Sequence, residues 1–226
     1  MMNGLIIIPA FNEGKVISKV IKGIPGKIND TSFDILIVND GSTDDTLEEA
    51  SKTSAMIISH LVNRGTGAAT KTGLMWAREK NYSFAITFDA DGQHDPTDLG
   101  KIVEMLSKND TDLVVGSRLK KSGGMPKDRF LINWLANILT LLVFGVFSSD
   151  SQSGLKGFSR RALELIDFRG DRYDFSSEIL LSAKRHNLVV KEIPTKVIYT
   201  EYSRKKGQQN SNVFYMGRKL IMKLFT

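Results

Sequence analysis

The 226-residue chain contains no cysteine, which excludes a disulfide framework and thiolate metal sites and suits a reducing compartment. Histidine is nearly as scarce: His60, His94 and His186 stand too far apart in the chain to suggest a zinc site. A leader peptide is not expected, because the apolar run 5–9 is short and no basic stretch precedes it. No Walker A motif occurs. Gly65-x-Gly67 lacks the third glycine of a dinucleotide fingerprint, so these glycines are read as serving a tight turn and close helix packing. Repeats and low-complexity tracts are absent. What remains has the makeup of a globular protein, 41% hydrophobic and 25% charged, long enough for one large domain or two small ones.

The net charge of +6 is unevenly spread. Residues 1–117 carry 11 Lys+Arg against 16 Asp+Glu, a balance of −5, and the remainder carries 20 against 9, a balance of +11. An acidic half joined to a basic half suggests a polyanionic ligand between them or an anionic surface beneath. Nucleic acid is not the expected partner: no recognised module is present, and the basic residues are not interleaved with stacking aromatics.

A short, unbroken apolar run at 5–9 is the mark of a strand buried on both faces, and 33–38, 55–59, 84–88 and 112–116 are read as further strands, those at 33–38 and 84–88 also buried. Between them, 13–22, 44–52, a stretch through Arg78 and 96–107 have helical spacing, with Ser42 or Thr43 expected as an N-cap. Farther on, 161–166 and 176–184 are expected helices, and 153–160, 188–193 and 195–199 expected strands. The alternation predicts an α/β fold with a doubly wound, mostly parallel sheet. Most strands end in polar clusters, so one rim should gather residues 9–13, Asp40, Asp89, Asp91 and Arg118 as the ligand crevice.

The chain is organised around Thr87-Phe88-Asp89-Ala90-Asp91-Gly92-Gln93-His94, where a buried strand delivers two carboxylates one residue apart. In extended backbone these point the same way and suit a hard divalent cation, completed by water and phosphate oxygens. A solvated Asp-Gly turn is the alternative reading of this motif alone.

Residues 130–147 run without a charge, long enough for a membrane span. A span is rejected, because it would separate the Asp89 rim from everything after Asp150. Asn133, Asn137 and Thr140 also form a polar stripe on the otherwise apolar helix. A buried core helix and a helix lying in the membrane interface both fit; Trp134 and the basic flanks favour the interface. Residues 213–225 read as a basic amphipathic helix, either a second interface element or an ordinary C-terminal helix with a solvated face.

These pieces together resemble family 2 glycosyltransferases of the GT-A fold, and within them the dolichyl- or polyprenyl-phosphate sugar (mannose) synthases. The matching stretches are Pro9-Ala10-Phe11-Asn12-Glu13, Asn39-Asp40-Gly41-Ser42-x-Asp44, Asn63-Arg64-Gly65-x-Gly67-Ala68-Ala69, Asp89-Ala90-Asp91-Gly92-Gln93-His94-Asp95-Pro96, Gly116-Ser117-Arg118 and Asp150-x-x-Ser153-Gly154, in family order. The resemblance implies one GT-A domain over 1–226, with a nucleotide-sugar and metal half (1–117) and an acceptor and membrane-facing half (118–226). It implies that Pro9, Ala10, Phe11, Glu13, Val38, Asp40, Asp89 and Ala90 line the nucleotide site. Asp89, Asp91 and Gln93 would hold Mg²⁺ or Mn²⁺ against the donor diphosphate, of the GDP-mannose or UDP-glucose type. An inverting transfer follows. Two departures, Asn39 for the first Asp of the usual D-D-G-S and Thr66 where many members carry Lys, bear on base preference. The C-terminal transmembrane helices of many relatives are not seen, so membrane contact is expected through the two amphipathic segments, peripherally on the cytoplasmic face, with a membrane-protein partner as an option.

The acceptor decides the mechanism. A hydroxyl needs a positioned carboxylate base, for which Glu178 is the candidate. A lipid phosphate is already anionic and needs cations, for which Arg118, Arg129 and Arg204 are the candidates, each of them alternatively a surface ion pair. Asp91, Arg118 and Arg204 are thus the expected catalytic residues. A soluble transferase acting on a saccharide hydroxyl and a catalytically silent nucleotide-sugar-binding subunit are the alternatives.

Overall fold

A computed structural model describes residues 3–28, 30–121, 127–171 and 174–198. One sheet runs through them. Its parallel strands are β1 (Asn3–Ala10), β3 (Thr31–Asn39), β4 (Met56–Ser59) and β5 (Phe84–Thr87) on one side and β6 (Leu113–Ser117) and β8 (Val190–Pro194) on the other. With β2 (Lys27–Ile28) and β7 (Lys156–Ser159), the order is β2-β3-β1-β5-β7-β6-β8, with β4 also pairing to β3. Two strands run against the rest: β2, a short hairpin partner of β3, and β7, wedged antiparallel between β5 and β6.

The apolar runs are continuous because both faces are covered. In β1, Ile6 and Ile8 join a core with α1 (Ile17–Gly23), α2 (Thr46–Ser51) and α4 (Asp98–Ser107), while Leu5 and Ile7 face a second core with α3 (Thr66–Glu79), α6 (Arg160–Leu165) and α7 (Phe175–Arg185). Alternation along one strand therefore fills two layers. The sequence-based reading of a doubly wound, mostly parallel sheet agrees with this architecture.

Several local expectations are corrected. Neither Ser42 nor Thr43 caps α2: Asp45 occupies the N-cap, and the Asp44 carboxylate takes the Thr46 N–H at 3.0 Å. In place of the expected strand at 195–199, the residues up to Ile198 form only an isolated bridge, His94 to Val197. The apolar helix α5 spans Lys127–Phe144, three residues earlier at both ends than the charge-free run 130–147, and Gly145, at φ 62°, marks its end. The expected helix 213–225 lies outside the described residues.

Candidate active site

β5 extends its ladder one residue past its end, with the Phe88 N–H donating to Ile7 O at 2.9 Å, and so aims Asp89 into the crevice at the sheet's carboxyl rim. His94 Nε2 donates to Asp89 Oδ2 at 2.9 Å. Across from it, Gly154 presses its backbone against the same carboxylate so closely that a Cβ there would overlap both oxygens. Asp91 is drawn into a turn by Gln93, whose backbone N–H and side-chain Nε2 bond its two oxygens at 2.9 and 2.6 Å. Ile198 N–H donates to Gln93 O at 2.8 Å, so the chain returns over this turn after β8.

The electrostatics of the pair are uneven. Burial would raise Asp89, but the His94 hydrogen bond and the charges of His94, Arg118 and Lys156 hold its carboxyl below the usual range. Asp91 is pushed up, by burial first and by the charge of Asp89 second. Two like charges crowded in a crevice are the arrangement that a divalent cation relieves. Among the described residues no group of three or more His, Cys, Asp or Glu could cage a metal. Two carboxylates one residue apart could supply at most part of a coordination shell for a hard cation, whose remaining positions would fall to ligand oxygens and water.

Arg118, just past the end of β6, binds Asp150 in a bidentate pair, Nε to Oδ2 at 2.7 Å and Nη2 to Oδ1 at 2.8 Å, while its backbone N–H adds a third bond at 2.9 Å. Its charge reaches both Asp89 and Asp91. Asp150 is fully buried, in a loop clamped from several sides. Glu192 of β8 takes Ser148 Oγ and both the N–H and hydroxyl of Ser149 at 2.6–2.8 Å. Beneath lies a residue that no sequence motif singles out. Lys156 is almost wholly buried in β7, donates to Ser153 O and lies 3.3 Å from Ser176 Oγ. Burial lowers its pKa to about 8, against the opposing pull of Asp150 and Asp89.

Burial alone would raise Asp150, but the charge and hydrogen bonds of Arg118 outweigh it and hold the carboxyl below its ordinary value. With the folded pKa below the unfolded one, the stabilisation is full above about pH 4 and is lost as pH falls through the folded value. Asp150→Asn should therefore cost about 3 kcal/mol at pH 7 and flatten the acid limb of the stability profile. Denaturant unfolding of both proteins from pH 7 down to pH 3 checks this; parallel profiles would contradict it.

On the other flank, Asp40 is not exposed to the crevice. Its carboxylate, only 2% accessible, accepts from the Arg64 and Gly65 N–H groups at 3.0 and 2.7 Å and bonds His60 Nδ1 at 2.7 Å. His60 Nε2 in turn lies 2.9 Å from Thr72 Oγ1 on α3. Asp40 thus braces the loop at residues 64–65. The residues 9–13 turn is locked to the neighbouring loop: Asn12, at φ 54°, accepts from the Thr43 N–H, and its own N–H donates to Ser42 Oγ at 3.0 Å. Phe11 remains 40% exposed on the rim beside buried Ala10 and Val38. Gly65 sits at φ 103°, and a Cβ on Gly67 would run into Gly170 O, which bears out the turn-and-packing reading of both.

The remaining candidates fare differently. Glu178 Oε2 accepts from the backbone N–H groups of Arg169 and Gly170 at 2.7 and 2.9 Å, so it organises a loop. Arg129 falls within α5; Arg204 lies outside the described residues. The polar stripe of α5 faces inward: Asn137 bonds Ser149 and Ser151, and Thr140 bonds Ser177 of α7. Its apolar stripe faces outward, with Leu131, Trp134, Leu135 and Leu142 exposed, the last by 74%. Among the described residues no helix is long and apolar enough to cross a membrane.

Residues 5–166 match the sequence profile of Glycosyl transferase family 2. The chain is 38% identical to the UDP-N-acetylglucosamine–dolichyl-phosphate N-acetylglucosaminyltransferase of Methanococcus voltae, over 96% of this chain and 94% of that one. It is 28% identical to the undecaprenyl-phosphate mannosyltransferase of Micrococcus luteus, over 91% and 87%. Among solved structures, it superposes with a TM-score of 0.72 on glucosyl-3-phosphoglycerate synthase from Mycobacterium tuberculosis, crystallised with Mn²⁺, uridine diphosphate and phosphoglyceric acid, at 20% identity, covering 97% of this chain and 76% of that one. The fold is therefore the GT-A arrangement.

Proposed function

Because this glycosyltransferase belongs to Glycosyl transferase family 2, we propose that it moves a hexose or N-acetylhexosamine from a nucleoside-diphosphate sugar to a polyprenyl or dolichyl phosphate, with inversion, at a membrane surface. The observation that carries the reading is the seat of Arg118: a guanidinium just past the end of β6, on the same rim as the Asp89/Asp91 stretch past the end of β5, and fixed there by Asp150. The names of relatives sharing 38% and 28% identity point to the same acceptor chemistry.

In this reading the nucleoside lies over the 9–13 turn, against Pro9, Ala10, Phe11 and Glu13, with Val38 and Ala90 behind and the Asp40-braced loop as a wall. Asp89, Asp91 and Gln93 hold Mg²⁺ or Mn²⁺, which when bound offsets the charge of the donor diphosphate as it leaves. An oxygen of the lipid phosphate attacks the anomeric carbon from the face opposite the diphosphate. One C–O bond forms, the bond to the diphosphate breaks, and its electron pair leaves with the nucleotide, so an α-linked donor gives a β-linked product. The nucleophile is already an anion, so no base need remove a proton. Arg118, its fork held by Asp150, would screen phosphate from diphosphate by its charge together with Arg129 and Arg204.

Arg118→Lys keeps the charge but forfeits the fork. It should lower transfer by roughly 10- to 100-fold while leaving donor affinity in calorimetry near that of the unsubstituted protein. Glu178→Gln should retain most activity. If the glutamate change abolished transfer and the arginine change did not, the acceptor would be a hydroxyl.

The inverted helix α5 supplies the membrane contact. A soluble protein turns polar groups outward, whereas here Asn137 and Thr140 point in and a stripe of Leu and Trp points out. The stripe lies in the bilayer interface, on the cytoplasmic face where the soluble donor is at hand, with the basic second half of the chain facing anionic headgroups. Trp134→Glu with Leu135→Glu should reduce sedimentation with liposomes by at least about 10-fold. Binding by the unsubstituted protein should rise with anionic lipid and fall with salt. Insensitivity to both changes would refute this seat.

A further inference from the structure

The polar stripe of α5 does more than seat a helix. The Asn137 amide bonds both neighbours of Asp150: Nδ2 donates to Ser149 O at 2.7 Å, and Oδ1 accepts from the Ser151 N–H and from Ser151 Oγ, both at 2.9 Å. It therefore fixes, with one side chain, the loop on both sides of Asp150. Asp150, held between these two anchors, fixes Arg118 through both carboxylate oxygens. A continuous chain of short hydrogen bonds thus runs from the inner side of α5, whose outer side is the exposed apolar stripe, to the guanidinium on the rim. Thr140, one turn along, bonds the hydroxyls of Ser151 at 3.3 Å and Ser177 at 2.9 Å rather than the backbone that flanks Asp150.

We propose that Asn137 is a positioning residue for the acceptor: by pinning the residues on either side of Asp150 it sets the orientation of Arg118, and so ties acceptor handling to the seating of α5. This rests on the reading above only in taking a phosphate as the partner of Arg118. The coupling itself is a property of the chain.

Two measurements test it. In protein labelled with ¹⁵N-arginine, the Arg118 Nε–Hε resonance is the one that disappears in Arg118→Lys. Asn137→Ala should move that resonance toward the position of solvated arginines and speed its exchange with water by at least about 10-fold. With polyprenyl phosphate as acceptor, Asn137→Ala should lower kcat/KM for acceptor by roughly 10- to 100-fold and leave the donor KM unchanged. Thr140→Val, which removes buried hydrogen bonds from the same helix, should lower Tm without moving the resonance or the acceptor KM. Asn137→Asp, which keeps the acceptor for Ser151 and loses the donor to Ser149, should fall between, and decides the matter if the alanine variant does not fold. An unmoved Arg118 resonance in folded Asn137→Ala or Asn137→Asp protein would overturn the proposal, as would an equal change in Thr140→Val. Failure of the unsubstituted protein to glycosylate polyprenyl phosphate would count against the acceptor reading, while the resonance would still decide the coupling.

Discussion

Asp91→Ala is expected to remove transfer, by roughly 1,000-fold or more, in a protein that still folds. Asp91 is the carboxylate whose ionisation the crevice resists, through burial and the charge of Asp89. Removing it relieves a repulsion in the protein without cation but forfeits its two bonds to Gln93, so Tm should change little. The cost falls on the loaded site. A cation left with Asp89 and Gln93 would be poorly held, and the diphosphate would then meet Asp89 unscreened. Isothermal titration should show that the nucleotide binds the unsubstituted protein much more tightly with Mn²⁺ or Mg²⁺ than without, and that this difference vanishes in the variant. Equal nucleotide affinity with and without cation in the unsubstituted protein would refute the metal role.

The second large effect comes from adding a methyl group. Gly154 lies against Asp89, and its carbonyl is fixed by Thr87 Oγ1 at 2.7 Å, so neither side can retreat freely. A Cβ at this position would fall far inside van der Waals contact of both Asp89 oxygens. Gly154→Ala must therefore swing Asp89 out of place or push the loop off β5. Transfer should fall at least about 100-fold, with a stability loss of about 1–3 kcal/mol from overpacking. Gly100→Ala in α4 is the matched control: its Cβ would meet only Ile28 Cγ2, at 3.8 Å, and the added helix propensity should leave stability equal or up to about 1 kcal/mol higher. An active Gly154→Ala enzyme would mean that Asp89 does not work from the position seen.

How much of this is legible in the sequence depends on whether a feature is local. The buried strands can be read, since Leu5 to Ile8 are fully buried as their unbroken apolarity demands. The Asp89-Ala90-Asp91 delivery follows from the same kind of run. Strand direction cannot be read. β7 holds a lysine and a glycine, and only the route of the chain explains its reversal: β6 ends at the rim, α5 is fastened there through Asn137 to Ser149, and the next strand must start from the rim. Lys156 escapes notice because a lysine in a strand reads as an outward residue, and its partners lie in distant segments. The motif around Asp40 marks it for the ligand rim but does not show how it is held. Its burial depends on His60 and the loop at 64–65, which no pattern within residues 39–44 specifies. For α5 both faces are visible as stripes, but which one faces the protein is decided by the hydrogen-bonding needs of the Ser149–Ser151 backbone.

If a lipid phosphate, brought in by Arg118, displaces the nucleotide from a sugar held at the Asp89/Asp91 crevice, the linkage in the product must record it. The purified protein is incubated with Mn²⁺, a short-chain polyprenyl phosphate and, in turn, UDP-N-acetylglucosamine, UDP-glucose and GDP-mannose, and any glycolipid is analysed by mass spectrometry and by ¹H and ³¹P NMR. The predicted result is one sugar joined through its anomeric carbon to the lipid phosphate as a phosphodiester, in the configuration opposite to the donor's, from at least one of the three. A product that retains the donor's configuration, or no lipid-linked sugar from any donor together with transfer to a saccharide hydroxyl, would contradict it.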